Sequence, residues 1–342
     1  MAKQPASKRT PATIYDVAER AGVSIATVSH ALNRPEKVSD ATRTKVMDVV
    51  DELQFVPKAA AVSHARRGVG RIGVVAPFTS YSSYSVRLAG VLSGFAESAV
   101  DVVVFDHPSV AAASSPLLSA LPTTGRLDAL LIMGIPLDEA MAQRLRSRRM
   151  PTVLVDSYHE EFPTVNVDDE LGGLLLGRHL VQRGHQRIAY VAEQQASPDY
   201  LSPGQRRVIG VGKALAEADL PGDALGLIFT ETADLAGGRA AADTVASTAD
   251  RPTALVAHHD HLAAGLLAGL REAQVSVPGD VAVAGYDGSE LADALGLTTM
   301  RQPLGETGYT ASRLLREAID TDGDAPVRHV MLVPELIQGE TT

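Results

Sequence analysis

The chain has 342 residues, no cysteine and a formal net charge of −10. Its length suggests two or three folding units, and the lack of thiols excludes disulfides and thiolate metal sites. No run approaches the ~20 apolar residues that span a bilayer. The polar, basic start MAKQPASKRTPAT does not read as a secretory signal, so the cytoplasm is the expected location. The charge is unevenly spread: residues 1–71 hold 12 Lys/Arg and 7 Asp/Glu, the remainder 19 and 34. A small basic module ahead of a large acidic body is expected where one end of a chain meets a polyanion.

Residues 1–11 read as a basic flexible tail, and residues 12–57 as three short helices. Thr13 can cap the first, which carries Ile14, Val17, Ala18 and Ala21 at helical spacing before Gly22 permits a tight turn. Ser24 caps the second, IATVSHAL, which ends at Asn33. Ser39 caps the third, with Val46, Val49, Val50 and Leu53 on one face before Pro57 stops it. Helix, short glycine turn, helix is the helix-turn-helix pattern. With Val28 and Leu32 inward, Ile25, Ala26, Ser29 and His30 face out, where base edges are reached. A generic three-helix cap on a larger protein is the bland alternative. Residues 58–70, beginning KAAAVSHARRG, join the two parts of the chain. Alanine favours helix, yet eight residues are too few to hold one in water, so a helix there forms only against a partner.

From Arg71 the pattern changes to short apolar runs alternating with amphipathic stretches. Strands are expected at RIGVVAP, VDVVVFDH, LDALLIMG, PTVLVDS, QRIAYVAE, ALGLIFT, PTALVAHHD and VAVAGYDG, and a last one at VMLVPEL. Helices are expected at 169–183, 205–218, 234–247 and 260–273. Such alternation predicts an α/β core of doubly wound parallel sheets, two lobes fitting the length, with ligands at the carboxyl ends of the strands. A strand–helix barrel is the alternative. No G-x-G-x-x-G follows the first strand, and P-loop, G-x-S-x-G and H-E-x-x-H motifs are absent. No nucleophile or acid–base set stands out, so neither catalytic residues nor a cofactor are assigned and the chain is not read as an enzyme. AHHDHL, with His258, His259, Asp260 and His261, invites a metal reading. Adjacent residues at a strand end diverge, however, so a strand end feeding a ligand cleft is expected and no metal is assigned.

TIYDVAERAGVSIATVSHALN, continued by VSDATRTKV and ELQFVP, resembles the N-terminal signature of the lactose-repressor (LacI) family of bacterial transcription regulators. The body resembles that family's effector-binding core, shared with periplasmic sugar-binding proteins, through VNVDDELGGLLLGRHLVQRGHQRIAYV, RPTALVAHHDHLAAGLLAGLREAQVSVPGDVAVAGYDG and LTTMRQP. The resemblance covers nearly the whole chain. It implies base reading by Ile25, Ala26 and His30, and phosphate or positioning contacts from Thr13, Tyr15, Ser24, Thr27, Ser29, Asn33, Ser39 and Thr42. Residues 58–70 become a hinge helix meeting the minor groove through Lys58, Ala61, Val62 and His64. Residues 71–342 become the effector-binding and dimerisation core. Its first lobe spans about 71–165 plus a crossover near 303–322, and its second about 166–300 plus the C-terminal strand. Effector contacts fall on Tyr84, Asp156, Val167, Arg207, His259, Asp287 and Gln302. Two carboxylates, an arginine and an amide suit paired sugar hydroxyls, whereas an interlobe salt bridge is the structural alternative for the charges. With no tryptophan in the chain, a sugar face would stack on Tyr84, Tyr81, Phe78, Tyr158 or Phe229. His30, His64 and His259 stand where the family often has arginine, leucine and asparagine.

The resemblance thus implies a repressor whose operator affinity a small molecule controls, a sugar or sugar derivative first and a nucleobase or other metabolite acting as corepressor second. Its partners are pseudo-palindromic double-stranded operator DNA, the effector and a second copy of the chain, with no membrane. The chain ends without a leucine heptad, which favours a dimer over a tetramer. A solute-binding protein or an enzyme on the same core is the remaining alternative.

Overall fold

The computed structural model describes residues 12–53, 55, 70–98, 100–107, 121–123, 126–194, 200–321 and 325–342. The tail 1–11 and the hinge positions Lys58, Ala61, Val62 and His64 lie outside them.

The headpiece consists of α1 (Ile14–Ala21), α2 (Ile25–Asn33) and α3 (Asp40–Glu52). Their caps are the ones the sequence specifies. Asp16 N–H donates to Thr13 Oγ1, Thr27 N–H to Ser24 Oγ and Thr42 N–H to Ser39 Oγ. Each satisfies one of the donors that a helix start leaves open. Gly22 adopts φ 62°, the left-handed turn that lets α2 pack across α1. Val17, Ala21, Val28, Ala31, Val46 and Val50 are fully buried between the helices, so this small module has a core of its own.

The body holds two six-stranded sheets. The first runs in the order β11 (His329–Leu332), β5 (Thr164–Val167), β4 (Thr152–Val155), β3 (Ala129–Met133), β1 (Gly70–Ala76), β2 (Val100–Asp106). The second runs β12 (Glu335–Ile337), β10 (Thr298–Arg301), β9 (Ala282–Asp287), β8 (Ala254–Ala257), β6 (Ile188–Glu193), β7 (Leu225–Thr230). Pairings are parallel except β10 with β12. Central strands such as β3 and β8 are buried along their whole length, as expected when helices cover both faces.

In the first lobe α4 (Ser83–Gly94) follows β1 and α5 (Glu139–Ser147) follows β3. In the second, α6 (Asp169–Gln182) packs on α7 (Pro203–Glu217) against one face, and α8 (Leu235–Ser247) on α9 (Asp260–Glu272) against the other. The short α10 (Glu290–Ala294) leads into β10. α11 (Leu304–Asp320) then crosses back to the first lobe, burying Ala311, Leu314 and Leu315 with Val91 of α4. A Cβ at Gly90 or Gly308 would collide with backbone of the facing helix, so glycine sets how closely α4 and α11 approach.

The structure corrects the sequence reading of the strands. VMLVPEL is not one strand: β11 ends at Leu332 in the first sheet and β12 starts at Glu335 in the second. Pro334 cannot donate to a ladder and stands where the chain changes sheets. β5 and β10 were not anticipated, because TVNV and TTMR carry no run of large apolar residues.

The headpiece rests on the first lobe through charge. Asp51 of α3 meets Arg144 at 2.7 Å and Arg148 at 3.5 Å, and Asp48 meets Arg144 at 3.9 Å. Among the described residues no helix is long and apolar enough to cross a membrane.

Candidate functional site

Two surfaces carry the residues singled out from the sequence. On the headpiece, Tyr15 and Ile25 are 67% and 41% exposed, and Ala26 and Ser24 are exposed beside them. Thr13, Ser24 and Ser39 are engaged as caps, and the Thr27 and Thr42 hydroxyls pair with Ser24 and Ser39 at 2.8 Å each. Capping and phosphate contact are compatible, since a capped helix start keeps its positive end toward solvent. Ser29 and His30 are half-buried, and with Arg34 and the core's Arg126 they line a recess of about 440 Å³. Asn33 closes α2; its side chain lies outside the described features.

The second surface is a cleft of about 520 Å³ between the lobes, at the carboxyl ends of both sheets. Asp156 follows β4, Asp287 ends β9, His258 and His259 follow β8, Gln302 follows β10, and Arg207 enters from the second turn of α7. Six of the seven expected effector residues line it: Tyr84, Asp156, Arg207, His259, Asp287 and Gln302. Val167 does not. It ends β5, is 2% exposed, and stands in register with Leu332 of β11, away from the switch between strand orders where the cleft opens. Of the stacking candidates, Tyr81, Tyr84 and Phe229 line the cleft, whereas Phe78 and Tyr158 are not among its lining residues.

Among the described residues the ion pairs at the cleft lie within each lobe, not across the gap. Arg87 of α4, which nothing in the sequence singled out, is buried and pairs with Asp156 at 2.7 Å. Arg207 donates through Nε to Asp169 at 2.7 Å and through Nη1 to the His258 carbonyl at 2.7 Å. Its guanidinium lies 3.6 Å from the centre of the Tyr286 ring, a stacked cation–π contact. The interlobe salt bridge is therefore replaced by two intralobe pairs. Hydrogen bonds do cross the gap: Tyr200 Oη donates to the Asp156 carbonyl at 2.6 Å, and Tyr81 Oη to Glu193 at 3.0 Å. Ser82 also meets His261 at 3.3 Å.

Asp156 and Asp287 sit on strained backbone, at φ 54° and φ 113°. Such positions persist where the surroundings over-determine them, and they gather at ligand sites. Burial pushes the Asp287 carboxyl up to about 7, with Asp260 adding to the rise and Arg207 and Gln302 opposing it. Gln302 Nε2 donates to Asp287 at 2.6 Å. Burial likewise raises Asp156, against the pull of Arg87.

The AHHDHL residues diverge as strand-end geometry requires. His258 Nδ1 meets Tyr190 Oη at 3.0 Å, and Asp260 accepts from Ser289 N–H and Thr299 Oγ1 at 2.7 Å each. His259 Nδ1 accepts from Leu262 N–H at 3.2 Å and so caps α9. Burial lowers the His259 ring to about 3, against smaller opposing effects of Ala233 and Asp234. A neutral ring that accepts at Nδ1 must carry its proton on Nε2. His259 therefore does what asparagine does at a helix start while keeping one N–H donor. Among the described residues no group of three or more His, Asp or Glu could hold a metal ion.

A helix-turn-helix headpiece joined to a two-lobed α/β core is the architecture of a DNA-binding regulator. The family comparisons agree: residues 13–58 match the lacI family of bacterial regulatory proteins, and residues 178–342 match a periplasmic binding protein-like domain. The chain is 31% identical over 335 residues to the HTH-type transcriptional repressor PurR of Vibrio atlanticus (strain LGP32), covering 96% of this chain and 98% of that protein. It therefore belongs to the LacI family. Among solved structures, a CelR–cellobiose complex aligns at TM-score 0.69 with 26% identity, covering 97% of this chain and 100% of the other. The lac repressor dimer bound to operator and the anti-inducer ONPF aligns at TM-score 0.66 with 26% identity, covering 97% and 99%.

Proposed function

We propose that this protein is a homodimeric repressor that works in the cytoplasm and catalyses no reaction. Its affinity for a pseudo-palindromic operator is set by a small, hydroxyl-rich ligand in the cleft. The observation that carries this reading is the division of the polar groups between lobes. Asp156 and Arg87 belong to one, Asp287, Gln302 and Arg207 to the other, so a ligand that bonds to both has different affinities for different lobe arrangements. That difference is what allows occupancy to shift an equilibrium, and the coupling to DNA is reciprocal. On this reading Ile25, Ala26 and His30 contact bases, and the Ser, Thr and Tyr residues around them contact phosphates. The cellobiose-bound relative favours a sugar, and the operator-bound dimer of the lac repressor favours two headpieces reading two half-sites.

The test has two arms. Selection of binding sites from genomic DNA should return one palindromic motif; recovery without sequence preference refutes the regulator reading. Titration of that operator complex with sugars, glycosides and nucleobases should find a class that changes DNA affinity by at least ~5-fold, the low end of ordinary allosteric coupling.

A further inference from the structure

The recess beside α2 is built from both the headpiece and the core. Ser29 and His30 are successive residues of α2, Arg34 follows its last residue, and Arg126 comes from the first lobe just ahead of β3. Each of the four offers an N–H or O–H donor, and among the described residues no carboxylate lines the recess. Arg34 and Arg126 are exposed, so the recess opens to solvent with two guanidinium groups at its rim. Forked guanidinium donors match the oxygens of a phosphate, and a hydroxyl beside them adds a further donor.

Backbone hydrogen bonds fix both sides. Arg34 N–H donates to the His30 carbonyl at 2.7 Å, which holds the chain as it leaves α2. On the core side Leu127 is buried. Arg71 N–H donates to the Asp128 carboxylate at 2.7 Å, and Asp128 N–H to the Arg71 carbonyl at 2.8 Å. Arg126 therefore stands on backbone tied to β1. The two sides are brought together by the pairing of Asp48 and Asp51 with Arg144 and Arg148, whose side chains are only 17% and 13% exposed. This docking also acts on charge. It neutralises carboxylates of α3 that would repel a polyanion, and it sets a guanidinium of the core beside the helix that carries exposed Ile25 and Ala26.

We propose that the recess holds a backbone phosphate of DNA, so that Arg126, a residue of the core, contacts the duplex directly. The proposal rests on the DNA-binding reading of the headpiece and adds a contact from outside it. Free phosphate shares the chemistry, but the continuity of the recess with the exposed start of α2 favours a phosphate of the duplex that α2 meets. Because Arg126 belongs to the first lobe, a shift of that lobe acts on this contact without an intermediary.

The salt dependence of binding tests it, by fluorescence anisotropy of the full-length chain on a duplex carrying the recovered motif and on a shuffled duplex. Each phosphate contact contributes about 0.9 to the slope of log affinity against log salt. Arg126→Gln removes two contacts per dimer, so the slope should fall by roughly 2 on both duplexes, with affinity down at least about tenfold near ~0.1 M salt. The recovered motif should not change, since a phosphate carries no base identity. Arg126→Lys should restore the slope. Arg187→Gln, which removes an exposed arginine paired with Asp250 in the second lobe, should leave it at the wild-type value. Arg126 is exposed, and an unchanged thermal melt confirms that its variants fold.

A wild-type slope in Arg126→Gln, or a fall matched by Arg187→Gln, overturns the proposal. So does tighter DNA binding by Arg126→Gln, which would make the recess a contact that hides α2. Calorimetry with inorganic phosphate supplies a further arm: saturable binding that Arg126→Gln abolishes, with the DNA slope unchanged, assigns the recess to a free anion and overturns the proposal. The two readings fail separately. Loss of slope on both duplexes without any sequence preference removes the regulator reading alone, and sequence preference with an unchanged slope removes the Arg126 contact alone. Binding to neither duplex removes both.

Discussion

Asp287 offers the sharpest test of the cleft electrostatics. Its carboxyl is buried and raised from an ordinary 3.8 to about 7. Because the folded-state value is the higher one, the native state holds a proton that the unfolded chain releases. The group's contribution is therefore fully present below about pH 4 and is lost as pH rises through about 7. Three pH units at roughly 1.4 kcal/mol each give a loss of about 4 kcal/mol, an upper figure because water entering the cleft would soften it. Asp287→Asn cannot ionise and can still accept the bond from Gln302 Nε2 that the carboxylate accepts at 2.6 Å. Urea denaturation of both proteins from pH 4 to pH 8 separates this group from the other titrating residues. The stability of Asp287→Asn relative to wild type should climb by up to about 4 kcal/mol across that range, with most of the change below pH 7. A difference that stays level within about 1 kcal/mol would refute the assignment of a neutral, desolvated carboxyl. Arg207, Arg87 and Asp260 are the charged groups whose fields act on it.

Other substitutions probe the remaining contacts. Arg207→Met leaves Asp169 buried without its partner and should cost about 3–5 kcal/mol in urea midpoint analysis, with Asp169→Leu added to it recovering much of the loss. His259→Leu removes the cap of α9 and should lower stability by about 1 kcal/mol, whereas His259→Asn, which can both accept and donate, should stay close to wild type in thermal melts. Asp51→Lys places like charge against Arg144 and Arg148. It should free the headpiece for faster release in limited proteolysis at low salt, and the difference should shrink only in part at high salt, because these pairs are partly buried and salt screens them less than exposed ones. Equal cleavage rates at low salt would show that the acidic face of α3 does not hold the headpiece to the core.

The headpiece was legible because its determinants are local. A cap, a three-residue turn and an apolar stripe act within a few positions of one another, so Thr13, Ser24, Ser39 and Gly22 mark the helix ends without reference to the rest of the chain. The buried strands were legible for a similar reason: a run such as ALLIM has no place but a covered sheet. The short strands β5 and β10 and the divided end of the chain were not. Their residues become strands because neighbours on both sides offer a ladder, and that information lies more than a hundred positions away for β5 and β11.

The cleft shows the same division. Asp156, Arg207, His259, Asp287 and Gln302 could be picked out through family resemblance, as residues in recognisable blocks at strand ends. Val167 came from the same resemblance, yet the register of β5 with β11 places it outside the cavity. No spacing rule pairs Arg87 with Asp156 or Arg207 with Asp169, because burial forces each charge onto whichever opposite charge the packed helices bring near. Leu227 and Phe229 read in sequence as ordinary strand residues. Only the place of β7 at the sheet edge leaves them exposed on the wall of the cleft. The sequence alone determined that this chain joins a DNA-reading module to a two-lobed α/β core. The tertiary structure decided which charges neutralise each other and which side chains meet in the cleft, since those depend on which strand lies beside which.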